Sequence, residues 1–272
     1  MRNLFLMMAL VISLTSAFAQ DDRSVGTKTK SGQNILPQEG DFAIGIDATS
    51  FLKFAGNSFN GNTDNDNTNI FDYQNGIFSG PAIYGKYFFT DNTALRVKLN
   101  LGFDNDKVKN PVPDVNAEGE FVDDEVSVSN NKFGVTVGYE WRRGYGRLQG
   151  YAGPELGLGF GSESTSYSYG NAINKNNPVT TPRTTDKKNG SVFAFKVGAF
   201  VGVEYFVAPK LSIGGEAGLG LGTYSQGKSS IETERWNDED SKIERDKTEG
   251  GSLSSFQLKA AYTGSLNVTF HF

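Results

Sequence analysis

The sequence predicts an all-β fold, an antiparallel up-and-down barrel of eight strands. Three observations predict it. Apolar and polar residues alternate with a period of two over long stretches, as side chains on opposite faces of a strand must. Short turns and long hydrophilic connections alternate strictly along the chain, which places all short turns at one end of a meander. Aromatic residues gather near both ends of the apolar faces.

The elements follow in order. Phe42, Ile44, Ile46, Ala48 and Leu52 oppose Gly45, Asp47, Thr49 and Lys53. Residues 77–89 alternate less cleanly, with Pro81, Ile83 and Tyr87 facing Ala82, Tyr84 and Lys86. Leu95, Val97, Leu99, Leu101 and Phe103 oppose Arg96, Lys98, Asn100 and Gly102. Phe133, Val135, Val137, Tyr139 and Trp141 oppose Lys132, Gly134, Thr136, Gly138, Glu140 and Arg142. Leu148, Ala152, Leu156, Leu158 and Phe160 oppose Gln149, Tyr151, Gly153, Glu155 and Gly157. Odd positions from Phe193 to Tyr205 are apolar, against Lys196, Gly198, Phe200, Gly202 and Glu204. Leu211, Ile213, Ala217, Leu219 and Leu221 oppose Ser212, Gly214, Glu216 and Gly218. Residues 256–272 are the clearest case, with Phe256, Leu258, Tyr262, Leu266, Val268, Phe270 and Phe272 against Gln257, Lys259, Asn267, Thr269 and His271.

Short connections are centred on Asp91-Asn92, Gly144-Tyr145-Gly146 and Pro209-Lys210, all turn chemistry. The long ones cover 55–76, 104–130, 162–190 and 225–252 and read as loops. Within the last, 231–236 and 241–247 flank Asn237-Asp238-Glu239-Asp240 as a projecting hairpin would.

Composition decides which solvent the apolar face meets. The 272 residues are 37% hydrophobic, too polar for a bundle of membrane helices, each of which needs about 20 apolar residues. Twenty-one Phe and 11 Tyr are too many aromatics for a disordered chain. Strands of the predicted length cross about 25 Å of hydrocarbon when tilted. The girdle positions Tyr87, Phe89, Tyr139, Trp141 and Tyr205 lie toward the short-turn end, where amphipathic rings suit a membrane interface. The apolar face therefore meets lipid and the polar face lines the interior. The soluble alternative, a ligand-carrying barrel with its apolar face inward, fits the aromatic ends and the inward glycines less well.

Residues 1–19 carry a basic start at Arg2, an apolar run at 4–14 and the small-x-small pattern Ala17-Phe18-Ala19, a cleavable secretory signal. Residues 20–40 are polar, without period, and read as a flexible lead-in on the periplasmic side. Residues 41–272 form the barrel. There is no cysteine, which excludes disulfides, thiolate zinc sites and cysteine nucleophiles. The single histidine, His271, removes most acid–base and metal chemistry. A formal net charge of −5 gives no support for nucleic-acid binding.

The whole of 41–272 resembles the small eight-stranded outer-membrane β-barrels of the outer-membrane protein A and X type. The most specific element is the ending, where Leu266, Val268, Phe270 and Phe272 look like the signal that the outer-membrane assembly machinery reads. The resemblance implies a bacterial outer-membrane location, periplasmic short turns, extracellular loops, and outer-membrane lipid and that machinery as partners. It also implies no cofactor.

The inward positions carry the acids Asp47, Glu140, Glu155, Glu204 and Glu216 and the bases Lys53, Lys86, Arg96, Lys98, Arg142, Lys196 and Lys259. Mixed signs in a narrow interior predict a salt-bridge network and no single-sign selectivity ring. The third barrel strand stands across from the seventh, so Arg96 and Lys98 are expected to reach Glu216. Eight strands leave an interior that side chains can fill, so a plugged barrel is expected. The acid-rich segments 104–130 and 62–69 have the composition of calcium ligands but lack EF-hand spacing; solvation alone also accounts for them. The leading function is non-enzymatic: envelope integrity, or surface interaction through the loops with a ligand the sequence does not name. The alternatives are a narrow porin-like channel and, third, a lipid-modifying or proteolytic barrel enzyme, which the lone histidine disfavours.

Overall fold

A computed structural model describes residues 27–48, 77–78 and 82–272, with the backbone alone at 255–264. The strands are β1 (Phe42–Asp47), β2 (Ala82–Thr90), β3 (Thr93–Pro113), β4 (Phe121–Tyr145), β5 (Leu148–Ser168), β6 (Arg183–Lys188), β7 (Val192–Ala208), β8 (Leu211–Gln226), β9 (Ser230–Asn237), β10 (Lys242–Glu249) and β11 (Leu253–His271). All pairings are antiparallel. Eight of these strands close a ring in the order β1, β2, β3, β4, β5, β7, β8, β11, with β11 returning to β1. At the level of Phe42–Asp47 the ring is shut on both sides of β1, so no described strand there presents an unpaired edge to lipid.

The ordinary distribution of hydrophobicity is inverted. On β4 the outward Val137 and Trp141 are 43% and 54% exposed, while the inward Glu140 and Arg142 are 0% and 1% exposed. On this strand the charged side chains are buried and the apolar ones exposed, the signature of a barrel in hydrocarbon. Phe133 and Trp141 on β4 lie about 27 Å apart along the strand at 3.4 Å per residue, enough for the apolar band once the strand tilts. Aromatic rings form a chain around the short-turn end. Phe42 and Tyr87 have centroids 4.9 Å apart, Tyr87 and Phe89 5.3 Å, Phe89 and Tyr139 6.4 Å, and Tyr139 and Trp141 5.1 Å. Tyr205 is also outward and exposed.

The turns at this end are tight. Asp91-Asn92 joins β2 to β3, Gly146-Arg147 joins β4 to β5, and Pro209-Lys210 joins β7 to β8. Gly146 takes φ 55°, which glycine adopts freely. Lys210 takes φ 59°, a left-handed conformation that costs a residue with a Cβ.

Three expectations need correction. Residues 104–130 and 162–190 are not mainly loop. β3 and β4 stay paired to Pro113 and Phe121, so only 114–120 connects them. β5 runs on to Ser168, where β6 replaces β7 as its partner. β9 pairs β6, and β10 closes the expected 231–247 hairpin. The barrel therefore carries a raised six-stranded sheet, β3-β4-β5-β6-β9-β10, beyond the end opposite the short turns. The reason is that backbone pairing continues after the lipid-facing alternation stops.

The second correction concerns Ile77 and Phe78. They form a turn buried in the barrel mouth and are not part of the described β2, Ala82–Thr90. The third concerns the lead-in, which is tied to the barrel from Ile35 onward. Ile35 and Leu36 are buried against Phe206, an apolar pair with no better place to go in a polar segment. The leader at 1–19, Lys53 and the 62–69 segment lie outside the described residues.

Candidate functional site: the barrel interior

Alternation sends every second side chain of eight strands into one narrow space. Glycines make that space usable. A Cβ at Gly202 would fall on the Tyr151 ring, and one at Gly138 would stand 3.1 Å from Arg96 Cγ and 3.1 Å from Phe200 Cε1.

Two groups of charges fill the middle. Nearer the short turns, Lys86 Nζ lies 3.0 Å from Glu140 Oε2 and 4.0 Å from Glu204 Oε2. Arg142 Nη1 donates to Glu140 Oε1 at 2.6 Å, and its other arm meets Glu204. Two cations thus face two carboxylates, contributed by β2, β4 and β7. One layer up, Arg96 of β3 crosses the barrel and grips Glu216 of β8 with both guanidinium arms, at 2.6 and 2.8 Å. Lys98 Nζ donates to the same carboxylate at 3.3 Å. Glu155 of β5 lies 3.9 Å from Arg96 and accepts from Lys196 of β7 at 2.7 Å. Here three cations meet two carboxylates. A bidentate guanidinium–carboxylate pair fixes geometry as well as charge.

Rings close the gaps between ions. The Arg96 guanidinium sits 3.7 Å from the Phe200 ring centroid, and Lys86 Nζ 4.5 Å from that of Tyr151. Toward the short turns, His271 lies between Phe206 (5.1 Å) and Phe88 (5.6 Å), with Nε2 3.2 Å from Ser212 Oγ. Toward the opposite end, Phe78 stands 5.2 Å from Lys196 Nζ, and Ile77 and Phe78 pack on Ala194, Val192 and Tyr224. Above Ile77 opens a cavity of about 300 Å³ lined by Lys132, Glu163, Asn189 and Gln226, among others.

The expected lumen residues separate into those brought together and those that are not. Lys86, Arg96, Lys98, Glu140, Arg142, Glu155, Lys196, Glu204 and Glu216 form the two groups. Asp47 stands half-buried at the described end of β1. The Lys259 side chain lies outside the described residues. At the chain's end, Phe270 and Phe272 face outward and exposed, and Leu266 and Val268 share that face half-exposed. Sequence reasoning put Tyr84, Tyr151 and Phe200 on the inward face without giving them a part in the site, and it did not single out Phe88, Phe206 or Ile77-Phe78. The available signal was large aromatics at inward positions, where a solvated face would carry small polar residues.

The raised sheet is braced across its strands. Arg183 of β6 donates to Glu234 of β9 at 3.1 and 2.9 Å, and its Nη1 reaches the Asn171 carbonyl at 3.0 Å. Asn171 in turn donates to the Pro113 carbonyl at 2.9 Å and accepts from Val115 N–H at 3.0 Å. The Lys107 ammonium, bonded to Glu125, holds that carboxyl below its usual range.

A closed antiparallel ring with an apolar outside and a charged inside defines an outer-membrane β-barrel. The chain belongs to the family described as "Putative OmpA-OmpF-like porin family", whose pattern matches residues 64–229. Among solved structures it is similar to the outer membrane protein OprG from Pseudomonas aeruginosa. That match has 11% sequence identity and a TM-score of 0.33, covering 87% of this chain and 98% of the other. No curated protein matches it.

Proposed function

We propose that this protein is a non-enzymatic, closed outer-membrane barrel. Its interior ions hold the wall together, and its raised sheet serves envelope integrity and surface interaction outside the cell. One observation carries the reading. Along the described axis, each layer of the interior is occupied by packed side chains, from Phe206 and His271 through the two ion-paired groups to Ile77 and Phe78. Each ion buried this way has a neighbour of opposite sign, which favours a scaffold role.

Recording from the purified protein in planar bilayers tests it. The expected result is no steady open level. A large, steady conductance overturns the closed reading and favours the second one, a narrow diffusion channel. That alternative draws on the family's porin-like character, and it needs the Arg96 to Glu216 pair to break and re-form as ions pass. Protease treatment of intact cells tests the orientation. Cleavage is expected at 114–120, 169–182 and 238–241, and full protection of these segments on intact cells overturns an extracellular raised sheet. Export through a cleaved leader and recognition of the Leu266, Val268, Phe270, Phe272 ending by the assembly machinery belong to the same reading.

A further inference from the structure

The charged interior has apolar seals at both ends, and the one at the short turns is not part of the barrel wall. Ile35 and Leu36 belong to the segment before β1, yet Ile35 is fully buried and both pack on the inward Phe206. Beneath them Phe206 stacks toward His271 and His271 toward Phe88, so the apolar pair sits on an aromatic floor directly under the ion-paired groups.

Two of the short turns hold the segment in place. At the turn between β7 and β8, Lys210 acts as a clasp. Its N–H donates to the Ile35 carbonyl at 3.0 Å, its carbonyl accepts from His271 N–H at 2.7 Å, and its ammonium pairs with Asp41. Its left-handed φ of 59° is one that only a turn held by its surroundings retains at a non-glycine residue. At the turn between β2 and β3, Asp91 accepts from Glu39 N–H at 2.9 Å. Next to it, Gly40 N–H donates to the Phe88 carbonyl at 2.9 Å, and Phe88 N–H to that of Asp41 at 3.0 Å. The connection is therefore a handful of hydrogen bonds and one ion pair, against the continuous ladders of the wall. Segments attached in that manner open at lower free energy than the sheet they lie on.

We propose that residues 34–41 form a displaceable stopper, in which Ile35 and Leu36 close the short-turn mouth and their withdrawal admits water and small solutes to the charged interior. This rests on the closed-barrel reading and deepens it: the wall cannot open without unfolding, whereas the stopper can leave while the ring stays shut. The sequence fits the role. An isolated Ile35-Leu36-Pro37 lies in an otherwise polar stretch, and Pro37 removes a donor that no ladder there would use.

The natural absence of cysteine supplies the test. Ser212 is 1% exposed, directly opposite Phe206 in the β7–β8 register, and bonded to His271. In the folded full-length chain carrying Ser212→Cys, a charged maleimide is expected to react slowly. Adding Ile35→Asp and Leu36→Asp, which lose two buried apolar side chains, is expected to speed labelling at least about tenfold. Asp41→Asn, which removes the ion pair to Lys210 and weakens the acceptor of Gln38 N–H, is expected to give a smaller acceleration and guards against misfolding of the first variant. Retained heat-modifiable migration in detergent gels shows that the ring is intact in each.

Unchanged labelling in the heat-modifiable Ile35→Asp, Leu36→Asp variant overturns the stopper while leaving a closed barrel standing. So does fast labelling of the chain that carries Ser212→Cys alone. Steady conductance by the unaltered protein overturns the closed barrel itself, so the two failures are distinguishable.

Discussion

At the scale of single residues, the interior is a problem of desolvated charge. The Arg96 and Glu216 side chains are 4% and 6% exposed, and the bidentate pair between them offsets most of the cost of burying either. Removing Glu216 leaves Arg96 only the more distant Glu155, at 3.9 Å, and takes away the carboxylate that Lys98 bonds. Glu216→Gln is therefore expected to destabilise the barrel by about 3–5 kcal/mol, measured by urea unfolding from lipid vesicles. Arg96→Met in the same background should be strongly non-additive, with a coupling of about 0.5–3 kcal/mol. Additive costs would show that the pair is held by the wall and contributes nothing of its own. Which residues point inward was legible from parity alone, since a period of two admits no ambiguity once one face is assigned. Which of them touch was less so. The reach of Arg96 and Lys98 to Glu216 follows from counting strands halfway around the ring. The pairing of Lys86 with both Glu140 and Glu204 depends on barrel stagger, and stagger is not written in any local pattern.

At the scale of elements, the raised sheet has a free flank at β10, whose outer side has no strand partner among the described residues. Exposed edges invite copies of the same chain to pair. The order of charges in β10, Lys-Ile-Glu-Arg-Asp-Lys-Thr-Glu, works against this. When two copies of a strand pair antiparallel about a two-fold axis, the residues opposite each other share a face, so the axis must pass through one residue facing its own copy. The four central choices are Glu244, Arg245, Asp246 and Lys247, and each sets like charges against each other. With Arg245→Thr and Asp246→Lys, the register centred on 245 places Thr opposite Thr and Glu244 opposite a lysine on each side. That double variant is expected to dimerise in sedimentation of the detergent-solubilised protein while the unaltered chain stays monomeric through this edge. A monomeric variant would show that something other than charge order protects β10. The same sheet marks where sequence reading stopped. Val108, Val112, Val122, Val126 and Val128 keep one parity along β3 and β4, but their strands also carry Asp104, Asp106, Asp123 and Asp124. With neither lipid nor a packed core to select one face, the alternation fades into what composition alone calls a solvated loop, and only backbone pairing reveals the strand. Pro111 and Pro113 fit the same picture, because β2 pairs β3 only up to Asn100 and the outer half of β3 is an edge among the described residues.

At the scale of the whole molecule, the ring and the raised sheet are separable because they are closed by different partners of the same strand. β5 pairs β7 from Leu148 to Gly161 and thereby shuts the barrel; from Ser164 onward it pairs β6 and builds the sheet. Lipid contact, the ion-paired interior and the aromatic chain all lie below that exchange of partners. The energetic requirement that no backbone edge face hydrocarbon falls on the lower part, where β1 joins β2 to β11 and shuts the ring. A chain in which 104–130 is replaced by a short Asn-Gly turn, and 225–252 likewise, is therefore expected to refold into vesicles as a heat-modifiable barrel. Its interior should also be as protected as that of the full protein, read through the same thiol at position 212. Failure of the trimmed chain to close would mean that the upper hairpins nucleate the pairing of β3, β4 and β5. Stability and folding order would then be tied to the part of the molecule that never enters the membrane, and trimming one hairpin at a time would show which of the two carries it.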